Sequence, residues 1–379
     1  MGYQAILAGF PVFLVLALHA PAYFLGIAYA LAYGIGAVFG TIGGILGDML
    51  GRKRIAILGN TFILILPALS VAGSVIQALE TFAGGWWARD FRTSSRRAML
   101  SEATTKEERP RAFGLLHLFD IGGGAIAVGY LLILIGMGTS LRSVFAITAV
   151  PIAVSTICLT FVRGRHNKRS ISMQKRGKKI KNGKRAASDA GVLRGVLIST
   201  ALFGFSFYSL GFPILTIASQ SGNDTLGILS YLIYLLFSAA AGYTIGMLAR
   251  RLNMVKGLSV IGYLLAAAAS ILLALYYSMH LVLAFSYIAV ALLGIAVGAI
   301  ETFEPTIISL ISAKDEQGTK LGYLTSSRSI GLFSANMAMG ILYTFSPAYS
   351  YIYSAVLATG AAATLLYFGR SFGQKRAFR

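Results

Sequence analysis

Charge and sulfur are both scarce in this chain. Of 379 residues only 12% are charged, and just 13 are acidic. A soluble domain carries about 25% charged residues, so a soluble fold is excluded. There is one cysteine, Cys158, which rules out an intrachain disulfide and reads as packing. Four scattered histidines, His19, His117, His166 and His280, offer no metal-ligand spacing, and no metal or cofactor is expected. No Ser-His-Asp set and no Walker lysine motif occurs, so neither an intramembrane enzyme nor ATP drive is expected. The glycines at Gly40, Gly43, Gly44 and Gly47 follow no strand, so they read as close helix packing rather than a phosphate cradle. The alternation of a β-barrel is absent as well.

What is present is apolar length. The chain is 56% hydrophobic, and its mean hydropathy is +0.73. Apolar runs near the ~20 residues of a membrane span recur from end to end. Runs and breakers predict an all-α integral membrane protein with twelve transmembrane helices, over 3–19, 22–47, 55–78, 80–102, 113–137, 142–162, 192–217, 224–248, 256–278, 281–311, 320–345 and 348–369. The opening lacks the basic start of a cleaved signal peptide.

The net charge of +20 sorts by side. One set of loops holds Arg52, Lys53 and Arg54; Lys106, Arg109 and Arg111; eleven basic residues from Arg163 to Arg185; Arg194; Arg250, Arg251 and Lys256; Lys314 and Lys320; and the tail from Arg370 to Arg379. The opposite loops hold only Arg142. The positive-inside rule makes the basic loops cytoplasmic. Both termini are then inside, in the plasma (inner) membrane of the cell. The run 163–185 has no aromatics among its basic residues, which argues against nucleic acid and for contact with anionic membrane lipids.

The two halves look alike. The segment 106–123 aligns without gaps to 314–331, so that Asp120 meets Arg328, and the same offset sets Arg96 against Glu304. A six-helix bundle over 1–162, a basic linker over 163–191 and a second bundle over 192–379 follow. That is the parallel-repeat plan, with a solute site near the membrane midplane between the halves.

The segment GGILGDMLGRKR resembles the motif after the second helix of the major facilitator superfamily (MFS). Gly44, Asp48, Gly51, Arg52 and Lys53 match it, and Met49 stands where a basic residue is usual. The stretch FRTSSRRAMLSEATTKEERPRAFG is similar to a prokaryotic branch with an Arg-Thr-x-Pro-Arg-Asp-Ala-like helix-four segment. Arg92, Thr93, Arg96 and Ala98 match, while Ser95 and Arg97 replace Pro and Asp. The resemblance implies a transporter working by alternating access, with helices one, four, seven and ten around the cavity. It also implies a cytoplasmic gate in which Asp48 meets the N-terminus of helix eleven, supported by Arg52 and Lys53.

The segment ARDFRTSSRR sets Arg89, Arg92 and Arg96 on one face of the fourth helix. A charge at a bilayer centre costs at least ~2.5–3.5 kcal/mol, so that face must turn from lipid. Arg92 or Arg96 is expected to pair with Asp120, and Arg328 with Glu301 or Glu304. Asp90 is expected to reach Arg97. Two carboxylates one turn apart cannot both ionise cheaply, which makes Glu301 and Glu304 candidate proton carriers, with Asp120 and a relay through His117. Arg89, Arg92, Arg96, Arg328 and Tyr208 are the candidate substrate contacts. Trp86 and Trp87 read as membrane belt or cavity wall.

The expected function is proton-coupled secondary transport of a small organic solute by a monomer, an anion or zwitterion being favoured. The alternatives are a proton-coupled exporter of drugs or cations, and a non-transporting sensor or lipid flippase on the same fold.

Overall fold

The computed structural model describes residues 2–103, 109–162, 183–248, 252–311 and 317–368. Among them the chain forms long helices and no strand. They are α1 (Gly2–Ala17), α2 (23–50), α3 (Arg52–Val71), α4 (Val75–Ala103), α5 (Arg109–Gly136), α6 (Leu141–Phe161), α7 (Gly183–Ser206 and Gly211–Ser221), α8 (Asp224–Leu248), α9 (Met254–Ser278), α10 (Leu283–Ile311), α11 (Gln317–Phe345) and α12 (Pro347–Phe368). With no water in a bilayer core, every backbone group must bond within its own segment, and the helix meets that demand.

Among the described residues, nine of these helices are long and apolar enough to cross a membrane. The other three are the shorter α1 and the charge-bearing α4 and α11. Residues 163–182 of the basic run lie outside the described set. So do the side chains of Asp48, Arg97, Glu102 and His117.

Several helices depart from the continuous rods expected. The seventh span, expected over 192–217, starts earlier, at Gly183, and breaks between Ser206 and Gly211. Pro213 sits in the first turn of the second piece, where its missing N–H leaves no bond unmade. Gly211 lies against the Tyr29 ring, which fills the space a Cβ would need. In α3 the coil tightens to a 3-10 form over Ile63–Val71, around Pro67. In α2 a π stretch over Ala30–Ile35 widens the turn, and Trp87 donates its Nε1–H to the Leu31 carbonyl there at 2.8 Å. Trp86 is buried and Trp87 partly so. Cys158, read as packing, is instead exposed on α6.

Helices α1–α6 pack mainly on one another, with α4 against both α2 and α3. Helices α7–α12 do likewise through α8–α10, α7–α11, α7–α12 and α9–α12. The two sets meet along α2–α11, α5–α8 and α1–α7. The α2 glycines allow α4 to close in. Ser94 Oγ donates to the Gly40 carbonyl at 2.7 Å, and Ser95 Oγ to the Gly43 carbonyl at 3.0 Å.

Alternating up-and-down helices bring the ends of α2, α4, α8 and α10 to one side, here called the basic face for the cations that follow them in the sequence. At the far face α2 and α11 touch backbone to backbone, Gly26 against Gly340. Toward the basic face a cleft of about 410 Å³ separates them, lined by Gly34, Val38, Thr41, Ile330 and Phe333.

Candidate functional site

The α4 arginines share a face but not an environment. Arg89 lies between aromatic rings, its guanidinium carbon 4.9 Å from the Trp86 ring centre and 5.5 Å from that of Tyr3. It donates to Asp90 at 2.8 Å. The expected Asp90–Arg97 contact involves a side chain outside the described set. Arg92 is only 7% exposed. It turns into its own half and donates to Asn60 Oδ1 of α3. Asn60 passes the chain on, donating to Thr156 Oγ1 of α6 at 2.7 Å. Arg96 grips Asp120 of α5 with both terminal nitrogens, at 2.6 and 3.2 Å. Of the two expected partners for Asp120, Arg96 is the one found.

The second half holds the inverted arrangement. Arg328 of α11 forks between two carboxylates of α10, one nitrogen on Glu301 Oε1 and the other on Glu304 Oε2. Both expected pairings form at once. Tyr263 of α9 donates to Glu304 Oε1 at 2.7 Å. Glu304 is therefore fully buried with a donor on each oxygen. The Glu301 side chain is 47% exposed, with one oxygen free of partners among the described residues. The sequence separation is 24 residues for Arg96–Asp120 and 24 for Glu304–Arg328. Cation and anion have exchanged places between the halves.

A cavity of about 150 Å³ lies where α1, α2, α7, α8 and α11 meet, walled by Leu7, Tyr33, Phe207, Tyr231, Tyr234 and Leu332. Tyr33 is within electrostatic reach of Arg89 and Asp90, and Tyr234 of Glu301 and Arg328. The aromatic wall thus joins the two charged sets. Tyr231 donates to Gln4 Oε1 at 2.9 Å, and Asn336 accepts from the Ser209 N–H at 3.2 Å; these contacts tie α8 to α1 and α11 to α7.

Tyr208 lies beside the cavity, but its hydroxyl is committed. It meets Ser270 Oγ at 3.1 Å, and its ring packs edge-on against Tyr351. The motif residues at the basic face divide. Gly44 packs against Ser94. Gly51 turns the chain from α2 to α3 with φ +101°, a conformation that favours glycine. Arg52 opens α3. Lys53 donates to the Thr160 carbonyl at 2.7 Å, where a cation suits the open end of α6. Asp48 and His117 are placed on α2 and α5 by their backbones alone.

Asn60, Tyr263 and the tyrosine wall escaped the sequence reading. Asn60 carried a signal, being a lone amide in an apolar run, where an unpaired polar group is costly. Tyr263 carried none, because tyrosine is common in such spans.

Comparison with known proteins places this geometry. The model of the Major Facilitator Superfamily matches residues 1–287. An uncharacterized MFS-type transporter of Methanocaldococcus jannaschii is 26% identical over 325 residues, covering 83% of this chain and 78% of that protein. Among solved structures, a D-xylose-proton symporter superposes with a TM-score of 0.76 at 13% identity, covering 97% of this chain and 94% of that one. A bacterial homolog of the human lysosomal transporter Spinster, in an inward-facing and occupied conformation, superposes with a TM-score of 0.74 at 15% identity, covering 98% and 94%. At these identities the structural likeness is one of fold.

Proposed function

Because the chain belongs to the Major Facilitator Superfamily, and so is a secondary transporter and not an enzyme, we propose that it couples proton movement to transport of a small anionic or zwitterionic organic solute. The solute binds in the cavity walled by Tyr33 and Tyr234. The observation that carries the reading is the unequal state of two carboxylates on one arginine. Glu304 is locked by Arg328 and Tyr263; Glu301 is half exposed and, among the described residues, held on one side only. A proton reaches Glu301 readily, and protonation frees one arm of Arg328. Such a carboxylate, charged in one state and neutral in another, is what coupling requires. Glu304 then serves as the fixed anchor. Asp120 with Arg96 forms the mirror-image pair, with His117 one turn away on α5 as its relay.

By the positive-inside rule the basic face is cytoplasmic, so both termini are cytoplasmic and the cleft between α2 and α11 opens inward. The protein sits in the plasma (inner) membrane as a monomer, its run 163–185 on anionic lipid. In the opposite state α2 and α11 close at that face. Asp48 then meets the N-terminus of α11, a favourable place for an anion, with Gly44 and Gly51 shaping the turn and Arg52 and Lys53 behind it.

The test is accumulation in proteoliposomes. Small carboxylates and amino acids are screened with an imposed pH gradient. The expected result is accumulation of at least one solute, lost when a proton ionophore collapses the gradient. Accumulation unaffected by the ionophore contradicts proton coupling.

A further inference from the structure

The cleft between α2 and α11 has a floor, two walls and an approach. Phe333 of α11 packs on Gly34 of α2 and forms the floor. The walls are apolar, Val38 on one side and Ile330 on the other, and among the described residues no charged side chain lines the cleft. Its Thr41 hydroxyl donates to the Ala37 carbonyl and its Ser334 hydroxyl to the Ile330 carbonyl, each at 3.2 Å. Both are turned into their own helices. Such walls make few new hydrogen bonds, so they suit an apolar chain better than a polar solute.

The approach runs along α2. Val38, Ile42, Ile45 and Met49 are all exposed, and their spacing of four, three and four sets them on one face. It is the face turned from α4, which packs on Gly36, Gly40, Gly43 and Gly47 at the other side. From Val38 to Met49 the stripe is ~17 Å long at ~1.5 Å per residue. One leaflet of the ~30 Å hydrocarbon core is ~15 Å deep. The stripe therefore crosses the tail region of the leaflet at the basic face and ends in the cleft. A continuous apolar stripe left in water forfeits the gain of burial, so it calls for hydrocarbon cover. At its outer end the chain turns at Gly51 into α3, which opens on Arg52, Lys53 and Arg54, and the Arg54 side chain is exposed. Cations at that level attract anionic headgroups.

We propose that the α2–α11 cleft seats one acyl chain of an anionic phospholipid from the leaflet at the basic face, its headgroup held at Arg54. The chain lies along Met49, Ile45 and Ile42, and its end meets Phe333. It covers apolar walls that the two halves bare where they part. The site is separate from the cavity assigned to the solute and does not depend on what that solute is.

The experiment is photocrosslinking of the full-length protein in phosphatidylethanolamine nanodiscs, with the labelled residues mapped by mass spectrometry. The probes are phosphatidylglycerol and phosphatidylcholine with a diazirine at the end of one chain, and phosphatidylglycerol with the diazirine on its headgroup. Tail-labelled phosphatidylglycerol is expected to mark Val38, Ile330 and Phe333. Tail-labelled phosphatidylcholine marks them about fivefold less, the weight of one juxtamembrane cation, and Arg54→Gln removes that difference. Ile126 and Ile133, exposed on α5, report general lipid contact and are marked equally by both. The headgroup probe marks 52–54 and not the cleft. Tail labelling confined to α5 overturns the proposal. Equal labelling of the cleft by the two tail probes overturns the assignment to an anionic lipid. Headgroup labelling of Val38 or Ile330 overturns the seated tail and points instead to lipid passing between the halves as cargo.

Discussion

Arg328→Leu lowers stability by about 3–5 kcal/mol, the range for stripping one partner from a buried ion pair. The reason is Glu304. Its carboxylate is 0% exposed, so removing the guanidinium strands an anion away from water with only the Tyr263 hydroxyl to hold it. Glu301 adds little to the loss. Nearly half its side chain is open, and pairs at that exposure are worth under ~1 kcal/mol. The double change Glu304→Leu with Arg328→Leu recovers most of the loss, since replacing both members of a buried pair by apolar groups is often neutral. Thermal unfolding in detergent measures all three proteins. A single variant as stable as the unmodified protein shows that the Arg328 fork carries no stability.

Gly26→Val cuts transport by disfavouring one conformation. A Cβ built on Gly26 lies 2.7 Å from the Gly340 Cα and 3.1 Å from its nitrogen. Both are helix backbone, which cannot swing aside as a flexible side chain can. The added side chain pushes α2 from α11 at the far face, where the two halves are sealed. Overpacking of this kind costs ~1–3 kcal/mol or more, which displaces a two-state equilibrium by roughly 5–150-fold. Transport falls in proportion. The site also opens from the far side. With the single cysteine removed by Cys158→Ser, a Leu7→Cys probe on the cavity wall becomes reactive to an impermeant thiol reagent added outside. Unchanged uptake and an unreactive probe contradict the role given to this contact.

The sequence revealed much of the fold because lipid permits few alternatives. Apolar runs mark α2, α8, α9 and α10 within a few residues, and the internal repeat sets Arg96 opposite Glu304 and Asp120 opposite Arg328. The break in α7 was hidden. Hydropathy runs on through Phe207–Gly211, and Pro213 is as acceptable at the start of a helix as after a break. Helical spacing placed Arg89, Arg92 and Arg96 on one face, but a face some 100° wide spans several neighbours. Arg89 therefore meets aromatic rings, Arg92 turns back to Asn60 in its own half, and Arg96 alone takes Asp120. Spacing also treated Glu301 and Glu304 as alike. What separates them is the Tyr263 hydroxyl from a distant helix and the open face of Glu301, neither visible in one dimension. Lys53, read as support for a gate, also donates to the Thr160 carbonyl at the end of α6, a contact that the sequence does not show.

The most direct measurement compares pH-gradient-driven uptake with solute exchange at equal pH, for Glu301→Gln and the unmodified protein in the same liposomes. The account predicts that Glu301→Gln abolishes gradient-driven accumulation while exchange persists, because the proton carrier is gone and the Glu304–Arg328 anchor remains. Gradient-driven accumulation that survives Glu301→Gln undiminished would contradict it.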